Sequence, residues 1–326
     1  MIDPLHVSVR CFAVILAGVV FQAQSLALEP ATTGEQLLRQ MAEANRELNY
    51  TGIFTYEHGG TLKTVKVFHA VKGDKEVERL VLLSGPKQEV VRRGTDVDCQ
   101  HIGDAMLRGN ARGIANLANH HLGNYYSVQV KPDDRVAGRN VAVLHVVPLD
   151  EHRYGYVLGL DKETGLLLQS LLIGDKKRVL ERFQYVDVDI GAEISEAELN
   201  PGSEHYLVSP DQAPCTSNDS REVATSPNWD TGWLPPGYAV AGYDRAADGG
   251  RETLIFTDGL SVFSLFIDSN MAADLPQMQA QRGATVAYLS RVDHDGRQYT
   301  ICVVGEIPVE TAKLVAHSVT PRSPAP

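Results

Sequence analysis

The residues most able to do chemistry in this sequence are its eleven histidines, and their spacing is unfavourable for catalysis or metal binding. His120 and His121 are adjacent, so on a helix their side chains point about 100° apart and cannot chelate one ion as an i, i+4 pair does. His145 and His152 flank a turn and could meet across a hairpin, where a structural hydrogen bond is the commoner role. We therefore expect no metal site built from these histidines.

Carboxylates and arginines give a similarly weak signal. Asp96 and Asp98 are alternate strand residues, as are Asp187 and Asp189, so each pair shares a strand face. The pattern offers no further oxygen ligands, so solvated charge is expected rather than a calcium site. Four arginines could line one rim of a sheet, where pairing with acidic residues across strands is the ordinary role: Arg139, Arg153, Arg178 and Arg182.

Two aromatic features are candidates for binding. Tyr154 and Tyr156 share a strand face, where they either join the core or line a pocket. The segment Trp233–Tyr238 places two prolines and a glycine between aromatic residues, which predicts a rigid, semi-extended chain. It is either a hinge and docking edge or an anchor for a second domain. No G-x-S-x-G, H-E-x-x-H, P-loop or G-x-G-x-x-G motif occurs, so a binding protein without a cofactor is expected before an enzyme.

The overall charge excludes one class of partner. The chain of 326 residues carries a net charge of −11, whereas a general nucleic-acid binder needs a basic face to neutralise phosphates. Lys176-Lys177-Arg178 is a local basic cluster, for which a solvated turn is the first interpretation and a contact with lipid phosphate or an acidic segment is the alternative. The length predicts two domains.

The N-terminus predicts an export signal over residues 1–27. An apolar run from Cys11 to Phe21 follows Arg10, and Ser25-Leu26-Ala27 is a small-x-small cleavage site. The run is too short to span a bilayer comfortably. We expect cleavage near Ala27 and a soluble product in a bacterial periplasm.

Three cysteines follow the predicted cleavage site. In an oxidising compartment they predict one disulfide and one free thiol. Cys302 lies in an apolar strand and is expected to be a buried thiol, which makes Cys99 and Cys215 the candidate pair. The alternative is that all three are free.

The first domain, residues 28–199, is predicted to be a curved antiparallel sheet over helices. Thr33 and Gln36 form a capping box for a helix whose apolar face carries Leu37, Met41, Ala44 and Leu48. From Tyr50 to about Val186 amphipathic strands alternate with turn signals, interrupted by a helical segment at 114–122. So many consecutive antiparallel strands must curl into a barrel or half-barrel, whose interior is either filled or encloses a ligand.

The second domain is predicted at residues 229–319, after a Pro-, Ser- and Asn-rich linker at 200–228 and before a flexible tail at 320–326. Asp258-Gly259 predicts a hairpin turn, and a second hairpin is expected across Asp293–Gly296. A polar helix or loop is expected at 271–281, and a final helix behind Pro308. The result is a small α+β domain.

Several segments, in order along the chain, together carry a family resemblance. In the first half these are Leu48–Glu57, His152–Tyr156, Asp161–Ser170 and Leu180–Gln184. In the second half they are Trp233–Tyr238, Ser261–Ile267 and Val303–Pro308. Jointly these segments resemble the MucB/RseB family of periplasmic sigma-factor regulators. The resemblance spans nearly the whole chain after the signal, although no single segment is a catalytic fingerprint.

The resemblance implies an α+β fold: a half-open antiparallel β-barrel over helices, like the lipoprotein carriers LolA and LolB, plus a smaller C-terminal α+β domain. It also implies a role. Such a protein binds the periplasmic segment of a transmembrane anti-sigma factor of the MucA/RseA type and shields it from proteolysis. Lipopolysaccharide, or the lipid of a lipoprotein, is the implied signal for release.

Within this resemblance two sets of residues are candidates for binding. The lipid-pocket candidates are Leu37, Met41, Phe54, Tyr56, Tyr154, Tyr156 and Leu158. The partner-binding candidates are Arg153, Trp233, Tyr238 and Tyr288.

Three alternatives stay open at this point. One is a lipid or lipoprotein carrier without a regulatory partner, for which a half-barrel alone would suffice. Another is a periplasmic enzyme that uses His145, His152 or the rim carboxylates once the fold brings them together. The third concerns assembly, since a homo-oligomer is compatible with the sequence.

Overall fold

The computed structural model describes residues 33–73, 75–93, 122–202, 227–246, 248–269 and 276–322. Several predicted features lie outside these ranges: the export signal, the helical segment up to residue 121, His120, His121, Asp96, Asp98, Cys99, Cys215, and most of the linker and tail.

The first helix, α1, spans Gly34–Glu47 and begins as the sequence predicts. The backbone N–H of Gln36 donates to the hydroxyl of Thr33, and the N–H of Thr33 donates to the side-chain carbonyl of Gln36. This capping box satisfies two amide groups that a helix start would leave unpaired. Met41 and Ala44 are buried as predicted, but Leu38, rather than Leu37, is the fully buried leucine beside Met41.

Nine strands follow and form one antiparallel sheet. They are β1 Tyr50–His58, β2 Thr61–Lys72, β3 Lys75–Leu82, β4 Glu89–Arg93, β5 Tyr126–Val136, β6 Arg139–Pro148, β7 Gly155–Asp161, β8 Leu167–Ile173 and β9 Val179–Ile190. The order is β4-β3-β2-β1-β9-β8-β7-β6-β5, so β1 pairs with β9 and the edge strands β4 and β5 are not paired with each other. The sheet is therefore a half-open barrel, which confirms the predicted fold class.

The interior of the half-barrel is apolar and is partly filled by α1. Leu38 and Met41 of α1 lie in one buried cluster with Phe54 of β1, Val65 of β2 and Leu158 of β7. The outer face of β2 and β3 has a smaller cluster of its own, covered by a short helix, α2, at Glu196–Leu199. Strands in this sheet are apolar on both faces because both faces carry buried contacts.

The second unit contains a six-stranded antiparallel sheet and one helix. Its elements are β10 Trp229–Thr231, β11 Ala239–Arg245, β12 Arg251–Thr257, β13 Val262–Asp268, β14 Met278–Arg282, β15 Thr285–His294, β16 Arg297–Gly305, α3 Val309–His317 and β17 Val319–Pro321. The sheet order is β11-β12-β13-β16-β15-β14, while β10 pairs separately with β17. Helix α3 packs against β15 and β16 and closes a separate core.

Both predicted hairpins are confirmed, and two other predictions for this unit are wrong. The segment expected as a polar helix or loop over 271–281 contains strand β14, which pairs with β15 at the edge of the sheet. All of its residues are exposed, so it has no alternation of apolar and polar side chains that a sequence pattern could detect. Strand β17 also includes Thr320 and Pro321, which the sequence assigned to the tail.

Two further findings concern the described residues. No helix among them is both long and apolar enough to cross a membrane. Cys302 is a free thiol in β16 and is partly buried, and burial raises its pKa.

A buried histidine fastens the end of α1 to the first hairpin. His69 is 1 % exposed and stacks on Tyr50, and its ring nitrogens face the carbonyl of Leu48 at 2.8 Å and the carboxylate of Glu76 at 3.2 Å. Both neighbours accept hydrogen bonds, so the ring must donate from both nitrogens and is protonated in this geometry. Burial alone lowers the pKa of His69, but the bond to Glu76, the charge of Glu78 and the bond to Leu48 outweigh it and raise that pKa.

We expect His69 to stabilise the fold at low pH. Because its pKa is raised in the folded chain, the contribution is complete below the ordinary histidine value of about 6.5 and disappears as pH rises through the folded value. His69→Phe keeps an aromatic ring against Tyr50 and removes both donors. The free energy of unfolding in urea, measured for both proteins at pH 5.5 and pH 8.5, should differ more at pH 5.5. An equal difference at the two pH values would contradict the protonated assignment.

Candidate functional site

The two sheets meet along a surface that we call the seam. It consists of Tyr56, Tyr126, Arg153, Tyr154, Tyr156 and Glu181 from the first unit, and Pro236, Asp258, Leu260, Ala284 and Ile307 from the second. Among the described residues, no strand of one sheet pairs with a strand of the other. The second unit contributes loops and turns, so its contacts depend on how those loops are held.

Asp258 organises the loop between β12 and β13. One carboxylate oxygen accepts hydrogen bonds from the backbone N–H groups of Leu260 at 3.0 Å and Ser261 at 2.8 Å, which fixes the turn. The other oxygen faces the first unit and accepts from the Tyr126 hydroxyl at 2.8 Å and from the Arg153 guanidinium at 2.7 Å. A single fully buried carboxylate therefore builds its own loop and binds the opposite sheet.

Arg153 is the counterpart of Asp258, and its side chain is 0 % exposed. Its Nε donates to Asp150 at 3.0 Å, and its Nη2 donates to the carbonyl of Pro236 at 2.5 Å. Burial alone lowers the pKa of Arg153, but its bond to Asp150 and the charge of Asp258 raise it, so the guanidinium stays charged.

Three tyrosine rings surround this guanidinium. The rings of Tyr125, Tyr126 and Tyr238 have their centroids 5.1, 5.3 and 5.2 Å from its central carbon. Aromatic faces attract a cation and take the place of water around it. The rings therefore offset part of the desolvation cost of burying a charged pair.

Further hydroxyl groups of the first unit bind backbone carbonyls of the second. The Tyr154 hydroxyl donates to Ile307 at 3.2 Å, and the Tyr156 hydroxyl donates to Leu260 at 3.3 Å. Burial raises the pKa of Tyr154 to about 12, so this hydroxyl keeps its proton and remains a donor. The tyrosine pair predicted to share a face thus contributes both its rings and its polar ends to the seam.

A second carboxylate holds the turn between β14 and β15. Glu181 accepts from the Tyr56 hydroxyl at 2.7 Å and from the backbone N–H of Ala284 at 2.9 Å, and it contacts His58 Nδ1 at 2.9 Å. The adjoining Gly283 has φ +60°, and a Cβ there would lie 2.7 Å from His58 Nδ1. Only glycine gives this turn both its backbone conformation and its close approach.

The histidines proposed for catalysis do not share a site. His152 contacts the Thr311 hydroxyl at 3.3 Å and packs edge-on to Trp233. His145 lies on β6 opposite Gln129 and Val157, and burial together with the charge of Lys131 lowers its pKa. In the described part of the chain, no three histidine, cysteine or carboxylate side chains are arranged to hold a metal. The arrangement fits binding and conformational control.

The lipid-pocket candidates all belong to the core of the half-barrel or pack against it. Met41, Phe54 and Leu158 are buried in the interior, and Leu37 packs at its border. Tyr56, Tyr154 and Tyr156 reach from that core to the seam. Their role with lipid stays a prediction.

The partner-binding candidates occupy less accessible positions than a surface patch would have. Arg153 and Tyr238 are buried in and beside the seam, and the Tyr238 hydroxyl donates to Ser261. Tyr288 is buried on β15 against His317. Trp233 is partly buried beside His152, and its carbonyl accepts from Ser318. Their role with a partner also stays a prediction.

Sequence reasoning missed Asp258, Glu181 and Leu260. Asp258 was assigned only to a turn, because an Asp-Gly pair between strands already has a sufficient local explanation. The available signal was Leu260, a large apolar residue at a turn where exposure is the rule. Glu181 lies next to Arg182 and resembles ordinary surface charge.

Two family models together match most of the chain. The family model described as MucB/RseB N-terminal domain matches residues 33–203, and the one described as MucB/RseB C-terminal domain matches residues 223–320. The chain belongs to the MucB/RseB family. One member, the sigma factor AlgU regulatory protein MucB of Pseudomonas aeruginosa, is 35 % identical over 311 residues, which cover 92 % of this chain and 96 % of that protein. The sigma-E factor regulatory protein RseB of Escherichia coli K12 is 26 % identical over 319 residues, covering 94 % and 96 %.

Solved structures of the MucB/RseB family agree with the fold. A crystal structure of MucB in complex with MucA(peri) has a TM-score of 0.70 and 33 % identity, covering 90 % of this chain and 100 % of that one. A crystal structure of MucB has a TM-score of 0.65 and 32 % identity, covering 89 % of this chain and 98 % of that one. The curated MucB/RseB proteins are named as regulators rather than as enzymes.

Removing the charge of Asp258 should destabilise this MucB/RseB protein strongly. Asp258→Asn leaves the buried Arg153 guanidinium with Asp150 as its remaining carboxylate, which should lower the free energy of unfolding by about 3 kcal/mol. Asp230→Asn is the matched control, because its ion pair with Arg322 is exposed and should contribute about 0.5 kcal/mol. Urea unfolding followed by tryptophan fluorescence measures both. Similar small losses for the two variants would contradict the importance of the buried pair.

Proposed function

We propose that this chain is a periplasmic negative regulator of a sigma factor, which binds the periplasmic segment of a membrane-spanning anti-sigma factor. The supporting observation is its likeness, over 90 % of its length and both sheets, to a relative crystallised with MucA(peri). Binding shields the segment from the protease that starts its degradation, so the sigma factor remains held. Lipopolysaccharide or a related lipid releases the regulator.

Each of the two units has its own part in the proposed function. Residues 28–199 sense lipid, residues 229–319 hold the partner, and residues 200–228 connect them. The second unit has its own buried core around Phe256 and Val303, so it is a folded surface rather than an appendage. A carrier without a partner would need only the half-barrel, so the second unit favours the regulator.

Release by lipid requires coupling between the two sites. A tenfold weakening of partner binding corresponds to about 1.4 kcal/mol of coupling. Burial of each acyl methylene contributes about 0.8 kcal/mol, so two methylenes that are buried only in the released state would suffice. The seam provides a contact that both sites can influence, because Tyr156 of the half-barrel binds Leu260 of the second unit directly.

Binding to the anti-sigma segment should be measurable and lipid-sensitive. Residues 28–326 are titrated into the fluorescently labelled periplasmic segment of the anti-sigma factor, with and without lipopolysaccharide. We expect saturable binding that lipopolysaccharide weakens by about tenfold or more. Absence of binding contradicts the proposed function, and binding indifferent to lipid contradicts the release step.

Protection from proteolysis should follow occupancy of the segment. The segment is incubated with the site-1 protease while the regulator is varied, and intact segment is measured over time. The cleavage rate should fall in proportion to the free segment and should recover on addition of lipopolysaccharide. Cleavage at an unchanged rate when the segment is saturated would contradict shielding.

Trp233 offers a test of the partner-binding surface. It is the candidate that is only partly buried, so a partner can reach it without separation of the two sheets. Trp233→Ala should weaken binding of the anti-sigma segment by about tenfold, as expected for an aromatic residue central to an interface. Val186→Ala, on a residue 61 % exposed in β9, is the control and should bind like the parent chain. Equal affinity of the two variants for the anti-sigma segment would show that Trp233 is not part of the partner-binding surface.

A further inference from the structure

Two side chains of the second unit, Leu260 and Ala284, belong to the core of the first, and Leu260 is the larger of the two. Leu260 is 1 % exposed and lies in the buried cluster of the half-barrel, with Phe54, Tyr56, Tyr156 and Leu158 among its members. The neighbouring Phe256 and Phe263, on the strands that flank its loop, belong to the separate core of the second unit. The Leu260 side chain therefore fills part of the apolar interior of the first unit, although Leu260 belongs to the second unit.

The loop between β12 and β13 places the side chain and the carbonyl of Leu260 against the half-barrel, as a bound ligand would place its own groups. Asp258 fixes the turn through the N–H groups of Leu260 and Ser261, so the loop that carries the leucine is held by hydrogen bonds within the second unit. The carbonyl of Leu260 accepts from the Tyr156 hydroxyl, so an aliphatic group and a carbonyl oxygen reach the half-barrel together. An acyl chain with its ester carbonyl offers the same pair of groups.

Most of the remaining seam contacts are polar and can be exchanged for water, although the Ala284 side chain lies in the same apolar cluster as Leu260. Hydroxyl groups of Tyr126 and Tyr154, the Arg153 guanidinium and Glu181 all bind groups of the second unit. Polar interfaces between units separate more readily than continuous apolar ones. Once the units part, these hydroxyl groups would form a hydrated rim around the apolar interior.

We propose that Leu260 is an internal surrogate ligand that occupies the end of the half-barrel where an acyl chain enters, so lipid and loop exclude each other. This inference rests on the proposed release by lipid and says how that release is produced. An acyl chain displaces Leu260, the Asp258 loop leaves Tyr126 and Arg153, and the second unit separates with its partner-binding surface altered. Closure of the seam is then the partner-binding state, and lipid selects the open one.

A redox lock tests whether the seam must open. A Cβ built on Gly59 lies 2.4 Å from Cγ of Arg282. Adding one carbon–carbon bond of about 1.5 Å places the two Cβ atoms within about 4 Å, the range of a disulfide. Gly59→Cys/Arg282→Cys should therefore form a disulfide across the seam in oxidised glutathione. Strain at Gly59, whose φ is +54°, applies to the reduced and oxidised forms alike.

Acyl binding is then measured by intrinsic fluorescence with two probes, lipopolysaccharide and a triacylated lipopeptide, which distinguish the two lipid sources. The oxidised double variant should bind the effective probe at least tenfold more weakly than its reduced form, whereas the parent chain should bind equally in both redox conditions. Equal acyl binding by the locked and reduced forms would overturn the proposal. So would a parent chain that binds neither probe, an outcome that also removes lipid release from the proposed function.

Shortening the Leu260 side chain should have the opposite effect on acyl binding. Leu260→Ala should bind the acyl probe about tenfold more tightly, because less side chain has to be displaced from the half-barrel. Leu254→Ala removes the same atoms from the second unit's own core and should leave acyl affinity within about twofold. Unchanged affinity in Leu260→Ala, or an equal gain in Leu254→Ala, contradicts the proposal. If the locked form binds the anti-sigma segment and lipid does not weaken that binding, the surrogate-ligand proposal is supported and the proposed partner binding stands.

Discussion

The arrangement of the two units depends on a charged pair that has been removed from water. Arg153 and Asp258 lie in loops of different units, and neither side chain retains solvent exposure. Burying such charges is costly unless every donor and acceptor is matched, and here Asp150, Pro236 and the Tyr126 hydroxyl supply the remaining partners. The energy of such an arrangement depends steeply on the relative position of the two units. A small displacement loses several hydrogen bonds at once, so the units are either docked or apart.

That property suits a regulator better than a larger apolar contact would. A continuous hydrophobic interface tolerates sliding, since its energy depends on area rather than direction. Hydrogen bonds from the tyrosines to Leu260 and Ile307 depend on distance and angle, so they define one docked position. The directional contacts of the seam therefore define a single docked geometry, and coupling of one site to another would require a second, separated one.

The sequence predicted the strands, the capped first helix and the two-unit architecture because these rest on local patterns: Thr33 with Gln36, and turn residues between amphipathic runs. It failed where the explanation is not local. Strand β14 is exposed on both faces, so it has no periodicity to read. Asp258 and Leu260 have roles defined by residues more than a hundred positions away, Arg153 and Tyr156. No spacing rule within one segment reports on such contacts.

The pairing of β1 with β9 has a consequence for the order in which the chain can fold. Tyr56 and Glu181 are joined across this pair although 125 positions separate them in sequence. Because β1 is synthesised long before β9, one edge of β1 stays unpaired until β9 is available, so the half-barrel has high contact order and is slow to complete. Until then that edge is an unpaired template for other strands. Newly made molecules would accordingly remain open to pairing with other chains for longer than a protein built from neighbouring hairpins alone.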